Sequence, residues 1–226
     1  FGIAQFTFNF NFVYRAEAHI TSGLVAVVFA LLLVPNAILS RIFLRQRMTG
    51  RFIMGSVIAI AGLALLFLQE ARAHPGGQAE TLWGVGLTLA GVMSASTANV
   101  MQASARARAM PMASLLGWGM LWGTTINAVL AWVLTGPPVV DMRPSYLIGV
   151  AYLGVMASAI AFTLYFGLIR VIGPARAAYS SVIIPIIAML ISTFAEDYRW
   201  SVLAVAGCAL ALSGLVIALT ARKPST

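Results

Sequence analysis

Long stretches that are almost free of charge constrain this chain more than any other feature. A helix needs about 20 apolar residues to cross roughly 30 Å of hydrocarbon. Runs that nearly lack Asp, Glu, Lys and Arg predict eight such helices, joined by short connections. They cover approximately 1–14, 20–43, 51–69, 82–105, 111–135, 145–169, 174–195 and 200–221. We therefore predict an all-α, polytopic membrane protein with a single transmembrane domain over 1–226.

The segment FTFNFNF, residues 6–12, alternates apolar and polar positions. In a soluble protein this period of two indicates a β-strand. A membrane-spanning strand needs about 9–11 residues, and helical spans follow this segment along the chain. We predict that it is helical.

The charged residues divide between the two sides that alternate connections define. All six acidic residues fall on one side, and ten of the fourteen basic residues fall on the other. The ten are Arg41, Arg45, Arg47, Arg51, Arg106, Arg108, Arg170, Arg176, Arg222 and Lys223. An excess of Lys and Arg marks the cytoplasmic side of a membrane protein. The net charge of +8 is thus an orientation signal that places the C-terminus in the cytoplasm, and we expect no nucleic-acid partner.

A spaced set of small residues occurs twice. GSVIAIAG at 55–62 and GCALALSG at 207–214 both read Gly-x3-Ala-x2-Gly. A proline precedes each copy, Pro35 in one and Pro185 in the other. By the charge pattern the two copies cross the membrane in opposite directions. An inverted repeat is typical of secondary transporters, whose substrate site lies near the membrane midplane between the halves.

Two longer stretches carry a family resemblance: HITSGLVAVVFALLLVPNAILSRIFLRQRMTGRFIMGSVIAIAGLALL and VIGPARAAYSSVIIPIIAMLISTFAEDYRWSVLAVAGCALALSGLVIAL. They resemble the drug/metabolite transporter superfamily, EamA type. The resemblance implies ten helices in two inverted five-helix repeats, of which about eight are expected here. Residues 1–70 would then hold the last three helices of the first repeat, and 82–222 the complete second repeat. The family's frequent Gly-Glu after the proline helix is replaced by Arg45-Gln46 and Glu196-Asp197.

Pro35 and Pro185 are candidate hinges. A proline inside a helix removes one backbone hydrogen bond and frees the carbonyl four residues earlier, here that of Leu31 or Ser181. A freed carbonyl can bind a ligand or let the helix bend. A static kink that only shapes packing is the alternative.

Polar and aromatic side chains inside the predicted spans are candidates to line a substrate cavity. Amides at membrane depth are expensive unless they face protein or a wet cavity, and aromatic faces bind aromatic or cationic ligands. The candidates are Asn9, Tyr14, His19, Asn36, Asn99, Gln102, Trp118, Trp122, Tyr152, Tyr179, Ser180 and Ser181. For each, hydrogen bonding or packing between helices is the alternative, and His19 is equally consistent with an interfacial polar residue.

No Asp, Glu, Lys or Arg lies in the middle of a predicted span. Proton-coupled pumps usually place a carboxylate there, and phosphate-ester antiporters need a buried Lys or Arg. Cys208 is the single cysteine, and no catalytic cluster is apparent. We predict no catalytic residues, metal site or cofactor, and no enzymatic activity.

These features predict a secondary transporter or facilitator in a bacterial cytoplasmic (inner) membrane. Its substrate would be a small neutral or zwitterionic metabolite that moves by alternating access through a central cavity. The resemblance implies export, and aromatic or hydrophobic amino acids suit a neutral, aromatic-rich wall. An organic-cation (multidrug) exporter, a non-transporting membrane scaffold and an intramembrane enzyme are the alternatives. Expected partners are the small-molecule substrate and the lipid bilayer, and the chain is expected to be a monomer or weak homodimer.

Overall fold

The structure, a computed structural model, describes residues 1–45, 48–73, 77–137, 141–177, 183–195 and 200–220. Every regular element in these ranges is helical. In chain order they are π1 (Ile3–Asn9), α1 (Phe10–Ala16), α2 (Ser22–Ala30), α3 (Leu33–Leu44), α4 (Gly50–Ala73), α5 (Gly77–Gln102), α6 (Ala105–Arg108), α7 (Met112–Thr135), α8 (Pro144–Tyr152), π2 (Leu153–Ile160), α9 (Ala161–Ile172), α10 (Pro174–Ala177), α11 (Ile183–Ala195) and α12 (Val202–Leu219). The predicted all-helical class is confirmed, and 6–12 lies in helix rather than in a strand.

Within those ranges, four helical spans are long and apolar enough to cross a membrane. They are Ser22–Leu44, Gly50–Gln69, Gln78–Gln102 and Pro144–Ile172. Helix α7 is as long, but its glycines, threonines and Asn127 lower its mean hydropathy. Helix α12 is apolar and shorter, over Val202–Ala218.

Pro35 interrupts its span, as expected of a proline. Helix α2 ends at Ala30, and α3 begins at Leu33. The prediction of a free Leu31 carbonyl is wrong, because that oxygen accepts a hydrogen bond of 2.8 Å from the amide of Val34. The chain forms a 3₁₀-like turn before Pro35. The amide of Val34, three residues after Leu31, donates the hydrogen bond to Leu31 that Pro35 cannot donate. Ser181 lies outside the described residues.

The two small-residue stripes pack directly against each other, α4 on α12. A Cβ added at Gly55 would lie 2.5 Å from the carbonyl oxygen of Gly214, and one added at Gly62 would lie 2.6 Å from that of Gly207. Such contacts are too close for any side chain. Backbones of membrane helices approach this closely only where both present small residues. The small residues of the two stripes therefore pack α4 against α12.

The contacts between the repeat copies are reciprocal. Equivalent residues of the two copies are 152 positions apart: Gly207 is equivalent to Gly55, and Gly214 to Gly62. If each residue is replaced by its equivalent, the contact of Gly55 with Gly214 becomes the contact of Gly207 with Gly62. Both contacts exist. Likewise α2 packs on α11, while α3 packs on α10. This is the arrangement that two inverted copies related by a two-fold axis would give.

Candidate functional site

A line of buried polar side chains runs between α3 and α5. Asn36 and Ser40 lie one turn apart on α3, and Ser96, Asn99 and Gln102 follow one another at three-residue steps on α5. These spacings put each set on one helix face. All five side chains are at most 1% exposed. We call these five residues the polar seam.

Asn99 holds the centre of the polar seam. Its Nδ2 lies 3.3 Å from Oδ1 of Asn36 and 3.5 Å from the hydroxyl oxygen of Tyr165 on α9. One amide therefore connects three helices: α3, α5 and α9.

Among the described residues, four polar atoms of the polar seam have no hydrogen-bond partner. They are Nδ2 of Asn36, Oγ of Ser40, Oγ of Ser96 and Nε2 of Gln102. A buried polar group without a partner costs about 1–3 kcal/mol. A concentration of such groups in one interface calls for a ligand or ordered water. The set includes two amide donors and two hydroxyls, which can donate or accept.

Arg170 closes one end of the polar seam. Its Nε and Nη2 each lie 3.4 Å from Oε1 of Gln102. Nη2 also donates to the carbonyl oxygen of Ala107 at 2.8 Å, and Nη1 to that of Met110 at 2.9 Å. The guanidinium thus ties the end of α9 to the turn that joins α5 to α7. We call this end of the molecule the Arg170 side.

The opposite end carries a different charged contact. His19 Nδ1, in the turn between α1 and α2, lies 3.2 Å from Oε1 of Glu80 in the first turn of α5. The two side chains are 30% and 38% exposed, so solvent reaches this pair. We call this end the His19 side.

A cluster of aromatic rings adjoins the polar seam. Phe162 and Phe166 stack with their centroids 5.6 Å apart, and Phe6 meets Phe162 edge to face at 5.2 Å. The ring of Tyr165 lies 5.7 Å from that of Phe166. We call Phe1, Phe6, Phe10, Phe162, Tyr165 and Phe166 the aromatic cluster. Tyr165 belongs to it through its ring and reaches the polar seam through its hydroxyl.

A second amide contact joins α1 to α7. Asn11 Nδ2 donates to Oδ1 of Asn127 at 2.8 Å, and Asn127 Nδ2 donates to the carbonyl oxygen of Phe6 at 2.8 Å. The two amides thus bond α7 to α1 and to the backbone of π1, which is hydrogen bonding between helices. Asn9 is buried, and its Oδ1 has no partner. It lies beside Gly91 of α5, where an added Cβ would be 3.5 Å from Asn9 Oδ1.

Three candidates predicted from the sequence, Asn36, Asn99 and Gln102, come together in the polar seam. Four others are more than half exposed and, within the described residues, make no hydrogen bond or ring contact with the polar seam: Tyr14, Trp118, Trp122 and Tyr152. Tyr179, Ser180 and Ser181 lie outside the described residues, and Pro185 lies in α11. The binding role of these tyrosines, tryptophans and serines stays a prediction, and so does the hinge at Pro185.

Sequence reasoning missed Ser40, Ser96 and Arg170 as members or neighbours of this site. Ser40 follows Asn36 by four residues, and Ser96 precedes Asn99 by three. Extending each amide along its helix face would have found both serines. Arg170 was counted only as a charge on one side of the membrane, and nothing local in the sequence links it to Gln102.

The described residues hold no group of three or more His, Cys, Asp or Glu side chains that could bind a metal ion. The chemistry available in the polar seam is hydrogen bonding by neutral groups, with one guanidinium at its end. Such groups can form hydrogen bonds with a polar ligand.

Comparison with known proteins agrees with this architecture. The EamA-like transporter family matches residues 82–220, more than half of the chain. Protein PagO of Salmonella typhimurium strain LT2 is 23% identical over 222 residues, which are 98% of this chain and 71% of that protein. One solved crystal structure shares the fold with a TM-score of 0.70 at 20% identity, covering 97% of this chain and 76% of its own. The chain belongs to the EamA-like transporter family, whose members are multi-pass membrane transporters of small substrates.

Proposed function

We propose that this protein is a secondary transporter or facilitator that exports small neutral or zwitterionic metabolites, and that aromatic or hydrophobic amino acids are its main substrates. One observation carries the proposal: Tyr165 joins the polar seam to the aromatic cluster. A site for such amino acids needs polar groups for the charged ends and aromatic surface for the side chain. Both are adjacent here.

The unpartnered atoms of the polar seam suit a zwitterion. The amide nitrogens of Asn36 and Gln102 can donate, and the hydroxyls of Ser40 and Ser96 can accept. Aromatic rings next to these groups favour an aromatic side chain through stacked or edge-to-face contacts. The side chains of the polar seam are neutral, and the one guanidinium, that of Arg170, lies at its end.

Alternating access is consistent with contacts at the two ends of the molecule. Arg170 ties α9 to the α5–α7 turn at one end, and His19 pairs with Glu80 at the other. The polar seam between them is buried, as in a state closed to both sides. The break before Pro35 gives α3 a place to tilt relative to α2, and Asn36 would move with it.

The proposed setting is the cytoplasmic (inner) membrane of a bacterium, with the Arg170 side and the C-terminus in the cytoplasm. The excess of basic residues in the connections of that side supports this orientation. The proposed partners are the substrate and the lipid bilayer, and the proposed state is a monomer or weak homodimer.

An exporter of organic cations is the second candidate. Trp118 and Trp122 lie one turn apart on α7 and expose 62% and 59% of their surface. Exposed indole faces attract quaternary ammonium groups. This candidate places the binding surface on α7 rather than in the polar seam. A membrane scaffold would use neither surface for transport.

Purified protein in liposomes separates these candidates. Vesicles are loaded with unlabelled phenylalanine, and entry of labelled phenylalanine by exchange is compared with entry into protein-free vesicles. We expect exchange with the wild type, loss of exchange in Asn99→Ala, and no loss in Thr88→Val. Thr88 is a matched control because it is buried in the same helix and bonds only its own backbone, at Gly84.

Substrate choice decides the outcome. Exchange of a labelled quaternary ammonium compound, sensitive to Trp122→Ala and without amino-acid exchange, would establish the cation exporter instead. If neither amino acids nor quaternary ammonium compounds are exchanged, the membrane scaffold is the remaining candidate. Amino-acid exchange that an imposed pH gradient does not alter would identify a facilitator.

A further inference from the structure

Two amide groups of the polar seam have their oxygens engaged and their nitrogens unpaired. We infer that Nδ2 of Asn36 and Nε2 of Gln102 bind the carboxylate of the transported substrate, with Arg170 as the residue that positions Gln102. This inference rests on the proposed function and assigns one part of the substrate to named atoms.

Arg170 fixes the orientation of the Gln102 amide. A guanidinium has only donors, so the amide atom that faces it must be oxygen. Both Nε and Nη2 of Arg170 lie 3.4 Å from Gln102 Oε1. The NH₂ group of Gln102 is therefore turned away from Arg170, and it has no partner.

Asn99 orients Asn36 in the same sense. The Oδ1 of Asn36 accepts from Nδ2 of Asn99, which leaves Asn36 Nδ2 unpaired in a side chain with no exposed surface. Two buried NH₂ groups, each held by a neighbour through its oxygen, are thus available to an acceptor.

The two NH₂ groups occur at neighbouring levels of one interface. Helices α3 and α5 pack together and both end on the Arg170 side, since α3 packs against α10 there and Arg170 binds the end of α5. Asn36 is level with its partner Asn99, and Gln102 lies three residues beyond Asn99. The levels are separated by about 4.5 Å along the helix axis. A carboxylate has two oxygens and about four acceptor positions, which suits two donors at this spacing.

Charge favours an anionic group at this end. Within the described residues, Arg170 donates to neutral acceptors, namely the Gln102 amide and two carbonyl oxygens. In the part of the chain that the structure describes, the carboxylates of Glu80 and Asp141 pair with His19 and Arg143 instead. In sequence, every acidic residue falls in connections of the opposite side. The positive charge next to the polar seam thus stabilises a substrate carboxylate over a neutral or cationic group.

Exchange in liposomes tests the assignment with analogues that differ by one group. Labelled phenylalanine is the transported probe, and two competitors are added in turn. Phenylalaninol lacks the carboxylate, whereas 3-phenylpropionate keeps it and lacks the ammonium group. We expect 3-phenylpropionate to compete with the wild type and phenylalaninol to compete at least about tenfold less well, since a hydrogen bond to a charged group contributes roughly 1.5–3 kcal/mol.

Asn36→Asp and Gln102→Glu put a carboxylate where an amide donor stood and keep the shape of the side chain. Each should weaken apparent phenylalanine binding by about tenfold or more and reverse the order of the two competitors. Gln102→Glu keeps the oxygen that Arg170 contacts, so it guards against a folding defect. Thr88→Val is the control that should change neither competitor.

Arg170 is tested by separating KM from kcat. Arg170→Lys keeps the charge but cannot hold Gln102 through two nitrogens at once. We expect a higher KM for phenylalanine with unchanged kcat and unchanged inhibition by phenylalaninol. A role confined to holding the fold would instead lower kcat and the thermal stability together.

Failure of this inference differs from failure of the proposed function. Wild-type protein that exchanges no amino acid overturns both. Wild-type exchange that phenylalaninol inhibits as well as 3-phenylpropionate, with an order unchanged in Asn36→Asp and Gln102→Glu, overturns only the carboxylate assignment. In that case the polar seam holds water and the substrate binds elsewhere.

Discussion

Asn99 Nδ2 lies 3.3 Å from Asn36 Oδ1, and this contact joins α5 to α3 where neither side chain has more than 1% of its surface exposed. An amide side chain is fully hydrogen-bonded only when both its oxygen and its NH₂ group have partners. Here one nitrogen remains unpaired, together with three other polar atoms of the polar seam. The contact therefore holds the helices together and leaves hydrogen-bonding capacity for a ligand.

Removing the Asn99 amide should destabilise the protein through its partner. In Asn99→Leu, the Asn36 oxygen loses its donor, at an expected cost of about 1–3 kcal/mol. A double-mutant cycle with Asn36→Leu should give a coupling near 0.6 kcal/mol, the average for hydrogen bonds between membrane helices. Unfolding in mixed micelles measures both values. Additive effects of the two substitutions would contradict the contact.

The small-residue stripe of α4 should not tolerate an added methyl group. In Gly62→Ala the new Cβ would overlap the backbone of Ala211 on α12. Overpacking of this kind costs about 1–3 kcal/mol. Gly86→Ala is the matched control, because a Cβ at Gly86 meets nothing within 4 Å. Melting in detergent should show a lower midpoint for Gly62→Ala alone, and equal midpoints would exclude the tight α4–α12 interface.

The helical class and the packing stripes could be predicted from the sequence because both depend on regular spacing. Charge-free runs determine where helices lie, and the spacing of Gly55, Ala59 and Gly62 identifies one smooth face. The sequence does not identify the helix that packs on that face, and the structure places Gly207 and Gly214 against it. Contacts between segments more than 140 residues apart in the sequence leave no local signal.

The site was predictable only in part, for a related reason. Amides at membrane depth are expensive, so Asn36, Asn99 and Gln102 could be singled out one at a time. Their meeting, and the role of Arg170 beside Gln102, depend on how α3, α5 and α9 pack. The expectation that the Leu31 carbonyl is free is wrong, because the 3₁₀-like turn before Pro35 supplies another donor.

The His19–Glu80 pair should contribute little. Both side chains are about one-third exposed, and ion pairs in such settings contribute about 0–1 kcal/mol. We expect His19→Gln and Glu80→Gln to shift stability by less than about 1 kcal/mol and to change phenylalanine exchange only slightly, because so weak a contact adds little to the closure of the His19 side. A large loss of exchange in His19→Gln, with normal stability, would instead place His19 on the substrate path.

The proposed orientation can be checked with two cysteines in a Cys208→Ala background. Ala79 and Ala105 are both exposed, one at the start of α5 on the His19 side and the other at the start of α6 on the Arg170 side. A membrane-impermeant maleimide added to intact cells should label Ala79→Cys, and Ala105→Cys should react only after the cells are opened. The reverse pattern would invert the orientation assigned from the basic residues.

Two substitutions at Tyr165 distinguish the role of its hydroxyl in the polar seam from the role of its ring in the aromatic cluster. Tyr165→Phe keeps the ring beside Phe166 and removes the hydroxyl that lies 3.5 Å from Asn99. If the ring holds the substrate's side chain, this variant should still prefer phenylalanine to alanine in liposome exchange. Tyr165→Leu should lose that preference by about two- to tenfold, because an aromatic pair contributes roughly 0.5–1.5 kcal/mol beyond buried area.

The control for Tyr165 is Tyr146→Leu, which makes the same change at a tyrosine of α8 that is 46% exposed and whose ring contacts no other aromatic ring among the described residues. It should leave the preference for phenylalanine unchanged. Equal preference in Tyr165→Leu and the wild type would show that the aromatic cluster only packs helices. Aromatic selectivity would then have to come from another surface, and Trp122→Ala on α7 would be the next variant to compare in the same assay.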